Sequence, residues 1–410
     1  MEIVNRSRGK TSANFEPFPE KVSLIGGGRW ARVLAEVLIA QVSPSVEITI
    51  HSIHNARSLS SWVSKMDIGN RIQVESNWPR LRKGASTVVI VVNAARDHAE
   101  AIRYALSAEV PVLVEKPLTL SFESSRELIN TAQIQGTPFA ASHVFLFARY
   151  IENFAKLVKE DGEISSLELH WIDPRSEVRY GELKKYDPFL PIYADVLPHV
   201  FSILDFILPD RKTECKNLDL SRGGATLELE ILFGDVPCKI HLERNGESRT
   251  RSIQVKTKTN VIRLDFSREP GIISTGTNEI SGDTEWEVGK KPVASMLASF
   301  LRWAAGGEYD HRLSVELGLR INWMIDQVSV FYNAAMRSWL KTKLLESSYS
   351  IDNDILYTLA EILHLEKSDP SEIWVKRILE QLRKRLFEEN DVSFSEMLET
   401  IRVYHSEKEN

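Results

Sequence analysis

"KVSLIGGGRWARVLAEVL", Lys21 to Leu38, is the stretch on which the reading of this chain turns. An apolar run meets three glycines and then a segment of helical periodicity, which predicts a strand, a tight turn and a helix. Gly26-Gly27-Gly28-Arg29-Trp30-Ala31 satisfies the spacing G-x-G-x-x-A. The first glycine permits the sharp turn, the second lets the backbone approach a pyrophosphate, and the small Ala31 allows close helix-to-strand packing. The free N–H groups and positive end of the following helix then favour a phosphate. Gly26, Gly27, Gly28, Arg29, Trp30 and Ala31 are therefore expected to line a dinucleotide, the alternative being a bare corner between strand and helix.

The pattern continues outward from that turn. VEITIHS, STVVIVVNA, VPVLVEKP and PFAAS are short apolar runs separated by amphipathic segments such as HAEAIRYALS and SFESSRELINTAQIQG. Strands apolar on both faces and separated by helices indicate a parallel sheet covered on both sides. Residues 21–141 are assigned to a doubly wound α/β domain of Rossmann type, after a flexible leader at 1–20. Beyond Arg149 the texture changes to closely spaced alternating runs, ATLELEILF, VPCKIHLERN, TRSIQVKTK and NVIRLDF, with helical segments before and after. Residues 142–340 are read as an α+β domain with an antiparallel sheet. Residues 341–410 read as a helical extension whose stripe of Trp374, Ile378, Leu379, Leu382 and Leu386 needs either its own chain or a partner to cover it.

Composition narrows the function. Of 410 residues, 43% are hydrophobic and 26% charged, and no apolar run is long enough to cross a bilayer, so no membrane partner is expected. The polar start of the chain lacks a secretory core, which places the protein in the cytoplasm. A net charge of -6 without a basic block argues against nucleic acid. The two cysteines, Cys215 and Cys238, have no metal-type spacing, so neither a metal site nor a disulfide framework is expected. A small-molecule substrate is the remaining class.

Two segments carry the chemistry. The second strand, in VEITIHSIHNAR, ends without the carboxylate that would bond an adenosine ribose 2'-hydroxyl; His51, Ser52, His54 and Arg57 stand there instead. Ser52 and Arg57 suit a 2'-phosphate, so NADP(H) is favoured over NAD(H). In VPVLVEKPLTL, a buried strand ends in Glu115-Lys116-Pro117 at the sheet edge where such folds bind ligands. Pro117 restricts Lys116 to an extended backbone at the cleft, and Glu115 can orient it. A surface ion pair is the plainer reading of the two charges.

With GGGRWA, NAARDHAEAIRYAL, VEKPL and DVLPH together, the chain resembles the Gfo/Idh/MocA oxidoreductases over about residues 21–340. SFLRWAAGG followed by SVELGLRINWMID supports the resemblance. It implies an N-terminal Rossmann domain and a C-terminal α+β domain whose open sheet forms a homo-oligomer interface, in a dimer or tetramer. It adds Asn93 and His98, with Glu115 and Lys116, to the cofactor contacts. It also implies that Lys116, Asp195 and His199 surround a hydride-transfer centre, the lysine or the histidine handling the proton and Asp195 tuning His199. In DVLPH, Asp195 and His199 lie four apart on one helix face, with Pro198 expected in the first turn. Tyr180 and Tyr193, in the loop before, are weaker candidates for substrate contact. Where sugar-acting relatives carry N-x-R-x-x-P, this chain has Ser142-His143-Val144-Phe145-Leu146-Phe147, which tells against an ordinary free sugar. The expected activity is NAD(P)-dependent hydride transfer to or from a carbonyl/alcohol or imine/amine of a small metabolite. A thiazolinyl-type imine reductase and a non-catalytic NADP-binding scaffold are the alternatives.

Overall fold

The computed structural model describes residues 18–66, 71–174, 177–179, 182–183 and 190–346. From the glycine-rich stretch, β1 (Lys21–Ile25) leads into α1 (Arg29–Gln41). The alternation continues through β2 (Glu47–His51), α2 (Ala56–Lys65), β3 (Ile72–Glu75), β4 (Thr87–Val91), α3 (His98–Ser107), β5 (Val112–Val114), α4 (Phe122–Gln135) and β6 (Phe139–Ala141). The six strands pair in parallel in the order β3-β2-β1-β4-β5-β6. That order reverses between β1 and β4, and the crevice outside their carboxyl ends is where a doubly wound sheet receives a ligand. β3 escaped the sequence reading because, of its four residues, only Ile72 is fully buried, so it lacks an apolar run.

The second domain contains α5 (Arg149–Asp161), β7 (Ile164–Pro174), the short pair β8 (Val178–Arg179) and β9 (Glu182–Leu183), and α6 (Ile192–Ile207). There follow β10 (Thr213–Ser221), β11 (Thr226–Phe233), β12 (Val236–Gly246), β13 (Thr250–Thr257), β14 (Val261–Asp265), β15 (Ile272–Thr275), β16 (Asn278–Ser281), α7 (Pro292–Ala304) and α8 (Val315–Glu346). Eight strands form one sheet in the order β10-β11-β12-β7-β13-β14-β15-β16. It is antiparallel as expected, except that β12 lies parallel to β7. The exception follows from the connection: α6 and the β10–β11 ladder carry the chain back to the side from which β7 set out. Alternation gives the sheet one apolar face, with Leu167, Leu169, Leu229, Ile240 and Leu242 buried, against which α6 and α8 pack.

α8 also reaches the first domain. Asn322 Nδ2 donates to the Thr119 carbonyl at 2.9 Å and to Ser125 Oγ at 2.8 Å, and Asp326 Oδ2 accepts from the Phe122 N–H at 3.1 Å. These bonds tie the loop after β5 and the start of α4 to α8. The expected division between residues 340 and 341 falls inside α8, which continues to Glu346 because helical periodicity is unbroken there. The apolar stripe from Trp374 to Leu386 lies outside the described residues.

Candidate functional site

At the glycine turn the three residues have three different reasons. Gly26 has φ +137°, and a Cβ there would lie 2.5 Å from backbone atoms of Val92 and Asn93 at the end of β4. A Cβ on Gly27 would lie 2.2 Å from Ser52 Oγ, so this position is closed by the neighbouring strand. A Cβ on Gly28 would meet nothing within 4 Å. Gly28 precedes the first turn of α1, which carries no acidic residue and no side-chain cap. First-turn N–H groups without a side-chain cap, at an open position, fit a pyrophosphate. Arg29 and Trp30 follow half-buried, and Ala31 is fully buried against the sheet. Asn93 adds a further fit: its Oδ1 is buried without a partner, an acceptor left for a donor from outside.

At the end of β2 the residues expected near a 2'-phosphate sit in different surroundings. Ser52 is 9% exposed, and its Oγ accepts from the Asn55 N–H at 3.1 Å, which starts α2. The hydroxyl expected to meet a 2'-phosphate thus accepts one bond within the fold and keeps its own O–H to donate. His51 is likewise buried, with Nδ1 2.9 Å from the Asn77 carbonyl, and burial lowers its pKa. His54 and Arg57 are exposed at the start of α2.

β5 ends in Glu115-Lys116-Pro117, with a cis peptide before the proline. Glu115 is 8% exposed; burial raises its pKa, opposed by the Trp30 indole and the Ser142 hydroxyl. Ser142 Oγ donates to Glu115 Oε1 at 2.8 Å, and the Lys116 N–H donates to Oε2 at 3.3 Å, so Glu115 steadies the lysine from behind. His98, expected among the cofactor contacts, is 1% exposed between two carbonyls, Pro117 O at 2.8 Å and Asn93 O at 3.2 Å. Burial lowers its pKa. It joins the loops after β4 and β5.

Lys116 meets α6. Its Nζ lies 2.6 Å from Asp195 Oδ1 and 2.8 Å from the Asp195 carbonyl, and Arg244 Nη2 lies 3.1 Å from Asp195 Oδ2. The carboxylate foreseen as a partner for His199 is therefore set between two cations. His199 stacks on Trp171, ring centroids 5.7 Å apart at 14°, and takes Phe145 edge-on at 5.1 Å. The helix begins at Ile192, earlier than the sequence reading placed it, so Pro198 falls beyond the first turn and leaves the Ala194 carbonyl without its helical donor. Tyr193 is two residues from Asp195 and so points away from it; it is 7% exposed against Tyr332, centroids 4.8 Å apart, and not at the lysine. Tyr180 lies outside the described residues.

Arg244 was missed, and alternation held the signal. Cys238, Ile240 and Leu242 occupy the inward register of β12, and Arg244 continues it, 8% exposed. An arginine in an inward register requires an anion, which Asp195 supplies. Trp171 follows the same rule on β7, with the Arg251 guanidinium 3.9 Å from its ring and Arg251 itself paired to Asp173.

The segment after β6 gives a pH expectation. His143 is 4% exposed with Nε2 3.1 Å from the Ser314 carbonyl, and burial pushes it down to about 4. The unfolded chain, with its histidine near 6.5, takes up the proton first. Stability is thus complete above that pH and falls as pH drops toward 4, by about 3 kcal/mol in all. Urea midpoints of wild type and His143→Gln across pH 7.5 to 4.5 check this: the variant should lose less, and equal losses would refute it.

Among the described residues no cluster of three metal-ligating side chains occurs, and no helix is long and apolar enough to cross a membrane.

The strand order, the glycine turn and the lysine at the end of β5 define a dinucleotide-binding domain of Rossmann type joined to an α+β domain. Residues 21–143, the N-terminal domain, match the family model GFO_IDH_MocA, "Oxidoreductase family, NAD-binding Rossmann fold". No curated protein matches the chain in sequence. Among solved structures it is similar to UDP-N-acetylglucosamine 3-dehydrogenase GnnA from Acidithiobacillus ferrooxidans, at 17% identity and TM-score 0.61, over 77% of this chain and 98% of that one. It is also similar to KijD10, a 3-ketoreductase from Actinomadura kijaniata solved with TDP-benzene and NADP, at 19% identity and TM-score 0.61, over 75% and 96%. At these identities the likeness is one of fold.

Proposed function

We propose that this chain is an NADP-dependent oxidoreductase in which Lys116 handles the proton that accompanies hydride transfer at a carbonyl or imine carbon. The observation that carries the reading is Lys116 Nζ, held 2.6 Å from Asp195 at the carboxyl edge of a sheet in which β1, separated from β5 by β4, ends in the open Gly28 turn. The first turn of α1 and Asn93 would hold the dinucleotide, and Arg57 its 2'-phosphate. When bound, the nicotinamide supplies or accepts the hydride. The chain's own residues do the rest. Two of the three Lys116 N–H groups are taken by Asp195, which leaves one for a substrate oxygen or nitrogen. Asp195 balances the ammonium, and Glu115 fixes the backbone that carries it. His199, one helical turn from Asp195, forms with Trp171 and Phe145 a flat, largely apolar wall.

The substrate class to test first is a ketone on a nucleotide-linked sugar, since the similar structures are named a UDP-N-acetylglucosamine 3-dehydrogenase and a 3-ketoreductase solved with TDP-benzene. Buried Phe145, Leu146 and Phe147 offer no polar groups to a free sugar. The test is NADPH oxidation, followed by absorbance, over a panel of nucleotide-linked 3-keto sugars and cyclic imines. Turnover with any member supports the reading; NADPH that fails to bind at all overturns it. Arg57→Ala should weaken NADPH by about 1.5 to 3 kcal/mol, the worth of a hydrogen bond to a charged group, and leave NADH unchanged. Calorimetry on both cofactors decides, and equal losses would remove Arg57 from the 2'-phosphate.

A further inference from the structure

We propose that the solvent-facing side of α8 between Gln327 and Ser338 is the docking surface for the chain's own C-terminal segment, the one that carries Trp374, Ile378, Leu379, Leu382 and Leu386.

The solvent face of an amphipathic helix is normally charged or polar. α5 follows the rule: its exposed residues are Arg149, Glu152, Lys156, Lys159 and Glu160, each of them charged. α8 departs from it. Between Arg320 and Lys341 its exposed residues, among those described, are Gln327, Val330, Phe331, Ala334 and Ser338, and none carries a charge. Val330 is 66% exposed and Phe331 36%. The five positions recur at spacings of three and four, so they form one continuous stripe along the helix. Val328, Tyr332 and Met336 face the core from the other side of α8, so the stripe has no part in the packing of the described residues. An exposed apolar residue standing alone is ordinary, whereas a continuous uncharged stripe with Val330 and Phe331 at its centre marks an interaction surface.

The C-terminal segment fits that surface in length, chemistry and reach. Gln327 to Ser338 spans about 17 Å of helix, and Trp374 to Leu386, read as a helix, about 18 Å. The apolar residues of the segment recur at helical spacing, while Lys376, Arg377, Glu380, Arg383 and Lys384 occupy positions between them. Such a helix lays its apolar side on an uncharged surface and turns its charges to water. Residues 347–373 join α8 to the segment. Phe331 stands about 22 Å back along the axis from Glu346, and a connection of that many residues covers about 40 Å even when helical throughout. A tether that reaches gives the segment an effective concentration on the order of millimolar, which a second copy of the chain in dilute solution does not match.

The test uses the full-length protein and needs neither cofactor nor substrate. p-Benzoylphenylalanine placed at position 330 and irradiated should crosslink to a peptide from residues 371–390, and the same residue placed at position 156 on α5 should not. Mixing isotopically light and heavy protein before irradiation tells whether both ends belong to one chain: the crosslinked peptides should be wholly light or wholly heavy. Amide exchange across residues 374–386, read by mass spectrometry, is the second measurement. Phe331→Asp sets a charge on the stripe and should speed exchange there roughly tenfold. Phe331→Leu keeps the surface apolar and should retain the wild-type rate. Mixed light and heavy peptides would give the face to a second copy and overturn the proposal. Crosslinks that miss the segment overturn it too, as does exchange across 374–386 that is the same in Phe331→Asp as in wild type.

Discussion

Lys116→Met should lower turnover on a confirmed substrate about a hundredfold to ten-thousandfold while leaving NADPH affinity intact. The size is that of general acid–base assistance. The separation of effects follows from geometry: the phosphate-binding turn is built from β1 and α1, whereas the lysine is held by Asp195 of α6. Methionine matches the length of the lysine stem, so the apolar packing of Lys116 survives and only the ammonium is lost. Asp195 would keep Arg244 as its counter-ion, so the fold should hold. His199→Ala should also lower turnover, since it removes the ring that lies flat on Trp171 and edge-on to Phe145 one helical turn from Asp195. Single-turnover rates on both variants, with NADPH binding measured separately, make the comparison. Full activity in Lys116→Met would return Glu115-Lys116 to an ion pair at a strand end.

Two glycine substitutions should have opposite consequences. Gly26→Ala should destabilise the fold by on the order of 3 kcal/mol or more, since it combines a left-handed φ with a Cβ 2.5 Å from the backbone of Val92 and Asn93, none of it a flexible side chain. Gly28→Val should leave the thermal midpoint nearly unchanged, because nothing lies within 4 Å of its Cβ and its φ of -79° suits any residue. The same valine should abolish measurable NADPH binding by filling the approach to the α1 N–H groups. Thermal scans and calorimetry on the two variants suffice. A Gly28→Val protein that binds NADPH like wild type would make the turn a corner and nothing more.

Much of the architecture was legible in the chain because it depends on short-range patterns. The G-x-G-x-x-A turn, the five apolar runs and the helices between them are set by the local preferences of a buried parallel sheet, and all recur in the structure as β1, β2, β4, β5 and β6 with their helices. β3 was not legible, being a half-exposed edge with one buried side chain. In the second domain the alternating runs named four strands of the eight-stranded sheet, yet their order, and the parallel pairing of β7 with β12, depend on how the chain returns over long connections.

The site divides in the same way. Residue types and spacing alone determined that Lys116 ends a buried strand at a ligand-binding edge, and that Asp195 and His199 share a helix. Tertiary structure decided the partners. It gave Asp195 to Lys116 and Arg244, set His199 on Trp171, used Ser52 to start α2 and enclosed His98 between two carbonyls. Arg244 and Lys116 are 128 positions apart, and no local preference encodes that one carboxylate will serve both. Periodicity assigns a side chain to a face, but a charge finds its counter-ion only when two domains close on each other, because burial is what makes an unpaired charge too costly to leave.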